Sequence, residues 1–257
     1  MEEYILELKD IGKTFSGVNV LRDINIQIKK GEIFALMGEN GAGKSTLIKI
    51  ISGYHRPDPG GEIVVGGKRA DFHKPKDAMD MGIHTIYQEL TLCPDMTVAE
   101  NIAIDKQDEY PGFLTHKKEY VKVAKDALDR LGQSINPNTY VRDISIAKQQ
   151  IVEIAKAISV KAEIVIMDEP TSSISEKDTA ALMQIARDLR DSGITVIYIS
   201  HRMHEIFQIA DRICVLRDGA HVGTVNASET TQQQLINMMV GRSLDNAYPK
   251  ADRKSVV

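Results

Sequence analysis

The stretch GENGAGKST, Gly38 to Thr46, set within EIFALMGENGAGKSTLIKIISG (Glu32 to Gly53), decides how this chain is read. Three glycines fall in six residues between an apolar run and a helix-spaced one, and a lysine follows them. Glu32 to Met37 is too uniformly apolar for a half-exposed strand, so it is expected in the middle of a buried sheet. The following STLIKIIS carries apolar residues at helical spacing and stops at Gly53, a suitable residue just past a helix end. A glycine loop between a buried strand and a helix suits an anion. Main-chain N–H groups at a helix N-terminus can surround a phosphate closely only where no side chains intervene. Gly38, Gly41 and Gly43 clear that space, with Asn40 and Ala42 between them. Lys44 can then reach β and γ phosphates, and the hydroxyl of Ser45, with Thr46 beside it, stands where a Mg²⁺ shell would form. The stretch satisfies GxxxxGK[ST] in full and predicts a nucleotide-binding phosphate loop.

Working outward, YILELK and VLRDINIQI read as half-buried antiparallel strands, the second with Leu21, Ile24, Ile26 and Ile28 largely alternating with polar residues. GEIVVGGK adds one more strand bounded by glycines. From about Thr91 to Ser159 the period turns helical: Val121, Ala124, Leu128 and Leu131 share one face ending at Gly132, and Ile151, Ile154, Ala155 and Ile158 share another. Alternation then resumes with EIVIMDE, a helix whose Leu182, Ile185, Ala186 and Leu189 face inward, ITVIYIS, a short helix, and RICVLRDGAHVGTV. The Asp-Gly inside the last segment signals a two-residue hairpin. Strands alternating with helices predict a mostly parallel sheet covered on both faces. The expected organisation is one unit over residues 1–240. Its α/β core and β subdomain take about 1–90 and 160–240, a helical insertion takes about 91–159, and residues 241–257 form a linker or a cut end.

Composition narrows the partners. The 257 residues carry 42% apolar side chains, enough for an ordinary core, and a formal net charge of −4 with scattered Lys and Arg. Nothing there neutralises a phosphodiester backbone, so nucleic acid is not an expected partner. Cys93 and Cys214 lie far apart and fit neither a disulfide framework nor a zinc pattern, which suits a reducing compartment. The longest apolar runs are too short to span a bilayer, so work at a membrane would need another chain to do the spanning.

A phosphate loop alone leaves kinases, GTPases, motors and transport ATPases open. IVIMDEP ends a buried strand with Asp168 and Glu169, at the edge where a parallel sheet presents its ligands. Asp168 can hold Mg²⁺ through water, and Glu169 can orient or deprotonate an attacking water. A later apolar strand, VIYIS, ends at His201. The alternative of a metal pair with His204 fails for want of a third ligand. No GTPase-type NKxD occurs, which weighs against guanine.

The order GENGAGKST, IYQEL, DISIAKQQ, IVIMDEPTSS and ISHRM resembles that of an ATP-binding cassette (ABC) ATPase, over nearly the whole chain to about Gly241. YQEL, MDEPTSS, VIYISHRMHEIF, VLRDG and MMVGRSL look like the first cassette of the tandem ATPases that energise bacterial importers of ribose, galactose and arabinose type sugars. The resemblance implies a P-loop NTPase fold, α/β with a RecA-like parallel core, an antiparallel β subdomain and a helical insertion. It also implies an ATPase working with ATP and Mg²⁺, in which Lys44, Glu169 and His201 are catalytic and Ser45, Gln88 and Asp168 surround the metal. Phe15 would stack on adenine, Gln88 would sense the γ-phosphate, and His201 would contact it. The implied partners are a second cassette, transmembrane permease subunits that dock at the helical insertion, and, indirectly, a periplasmic or extracellular sugar-binding protein. The implied location is the cytoplasmic face of the cell membrane.

Departures from the family pattern refine this. The usual LSGGQ stands here as Ile144 to Lys148, ISIAK. Ser145 can still donate to phosphate or simply cap the next helix. Ala147 replaces a glycine, and its Cβ would crowd a γ-phosphate. Ser175 stands where the D-loop usually has Asp, with Asp178 three residues on, a pattern resembling a capping box. The implied pair is asymmetric: a hydrolytic site on this chain's Lys44, completed by a second cassette, and a weak site completed by Ser145. Two rivals remain. A non-transport cassette acting as an ATP-gated clamp would usually carry long coiled-coil insertions or basic surfaces, and a small-molecule kinase would lack the signature region and the Ser-His pair.

Overall fold

The computed structural model describes residues 4–106 and 116–241. The chain runs β1 (Tyr4–Phe15), β2 (Val18–Lys29), β3 (Ile33–Met37), α1 (Lys44–Ile51), β4 (Glu62–Val65), β5 (Lys68–Ala70), α2 (Pro75–Asp80) and β6 (Ile83–Ile86). It continues with α3 (Val98–Ala103), α4 (Lys117–Arg130), α5 (Ile146–Ser159), β7 (Ile164–Asp168), α6 (Glu176–Asp191), β8 (Thr195–Ile199), α7 (Met203–Ile209), β9 (Arg212–Arg217), β10 (Ala220–Asn226) and α8 (Gln232–Val240).

Among the described residues ten strands make two sheets. The larger has the order β10-β9-β3-β8-β7-β6, parallel except for β10, and the smaller is antiparallel in the order β2-β1-β4-β5. β3 sits between β9 and β8 with all five residues buried, as its unbroken apolar run requires. Side chains on a strand alternate faces, and the core divides accordingly. Ala35, Val165, Met167, Val196, Tyr198 and Val215 join the helices of one face, whereas Phe34, Leu36, Ile166, Ile197, Ile199 and Leu216 join the other. That second face is covered by α1 and by the inward side of β1 and β2, where Leu21, Ile24, Ile26 and Ile28 are buried. On the first face α5 and α6 pack against the sheet, and α3, α4 and α5 also pack on one another through Ile102, Ala124, Leu128 and Ile154. Each such buried aliphatic side chain contributes about 1.5–3 kcal/mol relative to exposure.

Three local readings change. GEIVVGGK is a strand and the start of a second: the chain reverses at Gly66 and Gly67, both at positive φ, so β4 pairs with β5. Ile83–Ile86 is an edge strand that the sequence pattern does not mark. The six-residue α2 starts at Pro75, with the Asp77 carboxylate accepting from the His73 and Lys74 N–H groups, a local signal too short to show periodicity. The Asp218-Gly219 turn is the expected hairpin, with φ of 50° and 76°. Gly241 follows α8 in the left-handed region. The linker or cut end expected over 241–257 lies, from residue 242, outside the described residues. Among the described residues no helix is long and apolar enough to cross a membrane.

Candidate functional site

Parallel pairing brings the C-terminal ends of β3, β7 and β8 level: Leu36 is opposite Ile199, and Ile199 is opposite Asp168. The glycine loop leaves β3 at this edge. A Cβ on Gly38 would lie 2.5 Å from the Leu216 carbonyl oxygen, and one on Gly43, at φ 99°, would lie 2.5 Å from Leu21 Cδ2. Glycine is therefore what lets the loop press against β2 and β9 and deliver the helix start. α1 begins without a side-chain cap and without an acidic residue in its first turn, which carries Lys44, Ser45 and Thr46 instead. The positive end of the helix dipole thus faces the loop with no acidic residue in the helix's own first turn to complement it. Lys44 Nζ donates to the carbonyls of Gly38 and Glu39 at 2.8 and 3.0 Å, so its charge lies over the loop.

Two carboxylates face that charge. Burial lowers the pKa of Lys44 from its ordinary value, and the charges of Glu169 and Asp168 offset part of the drop. Burial and the neighbouring Glu169 raise the pKa of Asp168, with Lys44 and Lys49 working against them. Glu169 itself has a φ of 47°, a region that a non-glycine residue seldom occupies and that concentrates at working sites. Its N–H donates to the Ile199 carbonyl at 3.0 Å, and its Oε1 lies 3.1 Å from His201 Nδ1. His201 is largely exposed while Glu169 is mostly covered, so the pair opens to the sheet edge from one side.

The raised pKa of Asp168 sets a stability expectation. Unfolded, the carboxyl titrates near 3.8; folded, it titrates higher, so its ionised form opposes folding above that range. Asp168→Asn is expected to raise the melting temperature of the ligand-free chain at pH 7, since the amide carries no charge to bury. The difference should vanish below the unfolded value, where both states hold the proton. Calorimetric melting of both chains from pH 7 downward measures it.

The other expected site residues are more dispersed. Phe15 is 38% exposed at the tip of the β1–β2 hairpin, which excludes a core role. Its ring meets His55 edge-on at 5.2 Å, with Lys13 Nζ 5.3 Å from its centroid, and the same hairpin touches the loop where Gly43 meets Leu21. Gln88 is exposed two residues past the end of β6, on the strand next to β7. Ser145 caps α5 by accepting from the Lys148 N–H at 3.4 Å, and Ala147 lies in the first turn of that helix. Ser175 caps α6 in the expected way, accepting from the Asp178 N–H at 3.3 Å. What sequence reading missed is the neighbours of these groups: His55 and Lys13 around Phe15, and a buried Glu205 that accepts from Ser200 and Arg202 on either side of His201. Only the tertiary fold brings them there.

The donors suit a magnesium nucleotide. An uncapped helix start and a lysine supply positive charge for polyphosphate, and the loop around Gly41 leaves open space where a Cβ would stand. Among the described residues no group of three His, Cys, Asp or Glu could hold a metal alone. A hydroxyl at Ser45 and one carboxylate at Asp168 match Mg²⁺, which keeps waters and takes substrate phosphate oxygens in place of a protein cage.

Residues 21–172 match the family described as ABC transporter. The chain is 45% identical over 250 residues to the ribose import ATP-binding protein RbsA of Burkholderia pseudomallei, covering 96% of this chain and 48% of that one. A crystal structure of the ADP conformation of an ATP-binding cassette of an ABC transporter superposes with a TM-score of 0.80 at 26% identity, covering 94% of this chain and all of that one. A dimeric post-hydrolysis cassette bound to ADP and Pi superposes at 0.73, also 26% identical, over 86% of this chain and 98% of that one. The chain spans about half the length of the curated relatives it matches.

Proposed function

This chain belongs to the ABC transporter family, and from that premise we propose that it is the ATP-binding and hydrolysing cassette of a bacterial importer of ribose-type monosaccharides. The observation that carries the reading is the 3.1 Å contact of Glu169 with His201 at the same sheet edge as Lys44 and the uncapped start of α1. In this reading α1 and Lys44 grip the β and γ phosphates, Ser45 and Asp168 hold Mg²⁺, and Phe15 stacks on the base. Bound Mg²⁺ neutralises charge on the transferring phosphoryl group. Glu169 accepts a proton from the attacking water or orients it, and His201, fixed by Glu169, donates toward the γ-phosphate.

The site needs a second cassette to close it. Dimerisation of related cassettes supports that partner. Here the pair is asymmetric: the Lys44 site is hydrolytic when the partner contributes an intact signature, and the reciprocal site, served by Ser145 and Ala147, is weak. The permease subunits dock at the cytoplasmic face beside Gln88. Supporting that, a cavity of about 220 Å³ opens along the free edge of β6, lined by Ser52, Tyr54, Met79, Tyr87, Glu153 and Lys156. Tyr54 at its mouth is 57% exposed. The sugar class rests on the likeness to ribose importers.

The test is uptake of labelled ribose by vesicles carrying the chain with its second cassette, permease and binding protein. Uptake is expected to require ATP inside and to stop with Glu169→Gln. ATP hydrolysis with no uptake of any pentose or hexose would refute the sugar assignment.

A further inference from the structure

Behind the exposed His201 lies a buried charge that the chemistry above does not use. Glu205, in the first turn of α7, is fully buried, and four side chains donate to its carboxylate. Thr171 Oγ1 lies 2.9 and 2.8 Å from its two oxygens. The Tyr198 phenol and the Ser200 hydroxyl each lie 3.1 Å from Oε2, and the Arg202 guanidinium 3.3 Å from Oε1. Burial, and then the charge of Glu205, push the Tyr198 pKa far up, so the phenol stays a donor. A carboxylate is seldom taken out of water, and it is tolerated only when paired and hydrogen-bonded as fully as this.

The donors come from segments with different duties. Thr171 is two residues past Glu169, in the loop that leaves β7. Ser200 immediately precedes His201, and its oxygen also accepts from the Arg202 N–H at 3.0 Å, which shapes the turn around the histidine. Tyr198 belongs to the body of β8. Packing alone would not call for this arrangement, since α7 already buries Ile206 and Ile209 against the core.

We propose that Glu205 is a positioning residue for ATP hydrolysis: its buried carboxylate ties the loop carrying Glu169 to the turn carrying His201 and so sets the contact between them. The proposal rests on the reading of Glu169 and His201 as the water-handling pair. Glu169 sits in strained backbone, and without the tie its loop is free to relax away from His201. Displacement of a reacting group by about 1 Å costs about a hundredfold in rate.

The test compares Glu205→Gln, Thr171→Val and Tyr198→Phe in the assembled transporter, with ATP turnover, KM for ATP and melting temperature read for each. Thr171→Val cuts the tie to the Glu169 loop, whereas Tyr198→Phe removes a donor from the same carboxylate and leaves both loops joined. Thr171→Val and Glu205→Gln are expected to lower kcat by about a hundredfold, with KM unchanged, the size that misplacement brings. Tyr198→Phe should lose stability comparably yet lose far less turnover. Equal effects of Thr171→Val and Tyr198→Phe on kcat would overturn the proposal, and should Glu205→Gln not fold, that comparison alone decides. Glu169→Gln run in parallel separates the two levels. Wild-type turnover there removes the water-handling reading itself, while an inactive Glu169→Gln beside a fully active Thr171→Val removes only the positioning role.

Discussion

Glu169→Gln in the assembled transporter is expected to keep ATP binding and to lose turnover by about 10²- to 10⁴-fold, the usual contribution of a positioned general base. The amide has the same shape as the carboxylate and still reaches His201, 3.1 Å away in the native chain. It cannot accept a proton, so the loss falls on chemistry. In the proposed reading, grip on the polyphosphate comes from Lys44 and the start of α1, which the substitution does not touch. One carboxylate fewer beside Asp168 and Lys44 also removes negative charge from the phosphate site, since Glu169 acts electrostatically on both. Affinity for ATP should therefore hold or tighten. Single-turnover hydrolysis together with equilibrium binding separates the two quantities. Native turnover would assign the water to another group.

Much of this arrangement is legible in the sequence, and the limits are physical. The strand-loop-helix from Ile33 to Ile51 can be read because an unbroken apolar run, a glycine loop and a helical period follow one another with no ambiguity of type. The Asp218-Gly219 hairpin is legible because turn chemistry is local. β6 is not, because IHTI is four residues long with His84 and Thr85 inside it. It becomes a strand only by pairing with β7. The same division runs through the site. Asp168, Glu169 and His201 announce themselves as polar residues at the ends of apolar strands. Glu205 reads in sequence as one more acid on a short amphipathic helix, and only the fold brings Thr171, Tyr198 and Ser200 around it. Phe15 is the reverse case: an aromatic is more often core, yet this one lies at an exposed hairpin tip beside His55.

Lys44→Ala should cost the most in binding. The ammonium now spends its hydrogen bonds on the carbonyls of Gly38 and Glu39, and phosphate oxygens would take their place at the same loop. A hydrogen bond between charged groups contributes about 1.5–3 kcal/mol, so the affinity for ATP is expected to fall by about 10- to 150-fold. The ligand-free fold should survive the change. Burial holds Lys44 below its ordinary pKa, so its charge opposes folding and its removal is not expected to weaken the ligand-free fold. Loss of binding would then report the site and not the stability of the chain. The decisive measurement is titration calorimetry of magnesium ATP into the folded wild-type and Lys44→Ala chains. A single wild-type site that weakens at least tenfold in the variant is the predicted result. A folded wild-type chain that takes up no nucleotide, or two superimposable isotherms, would contradict it.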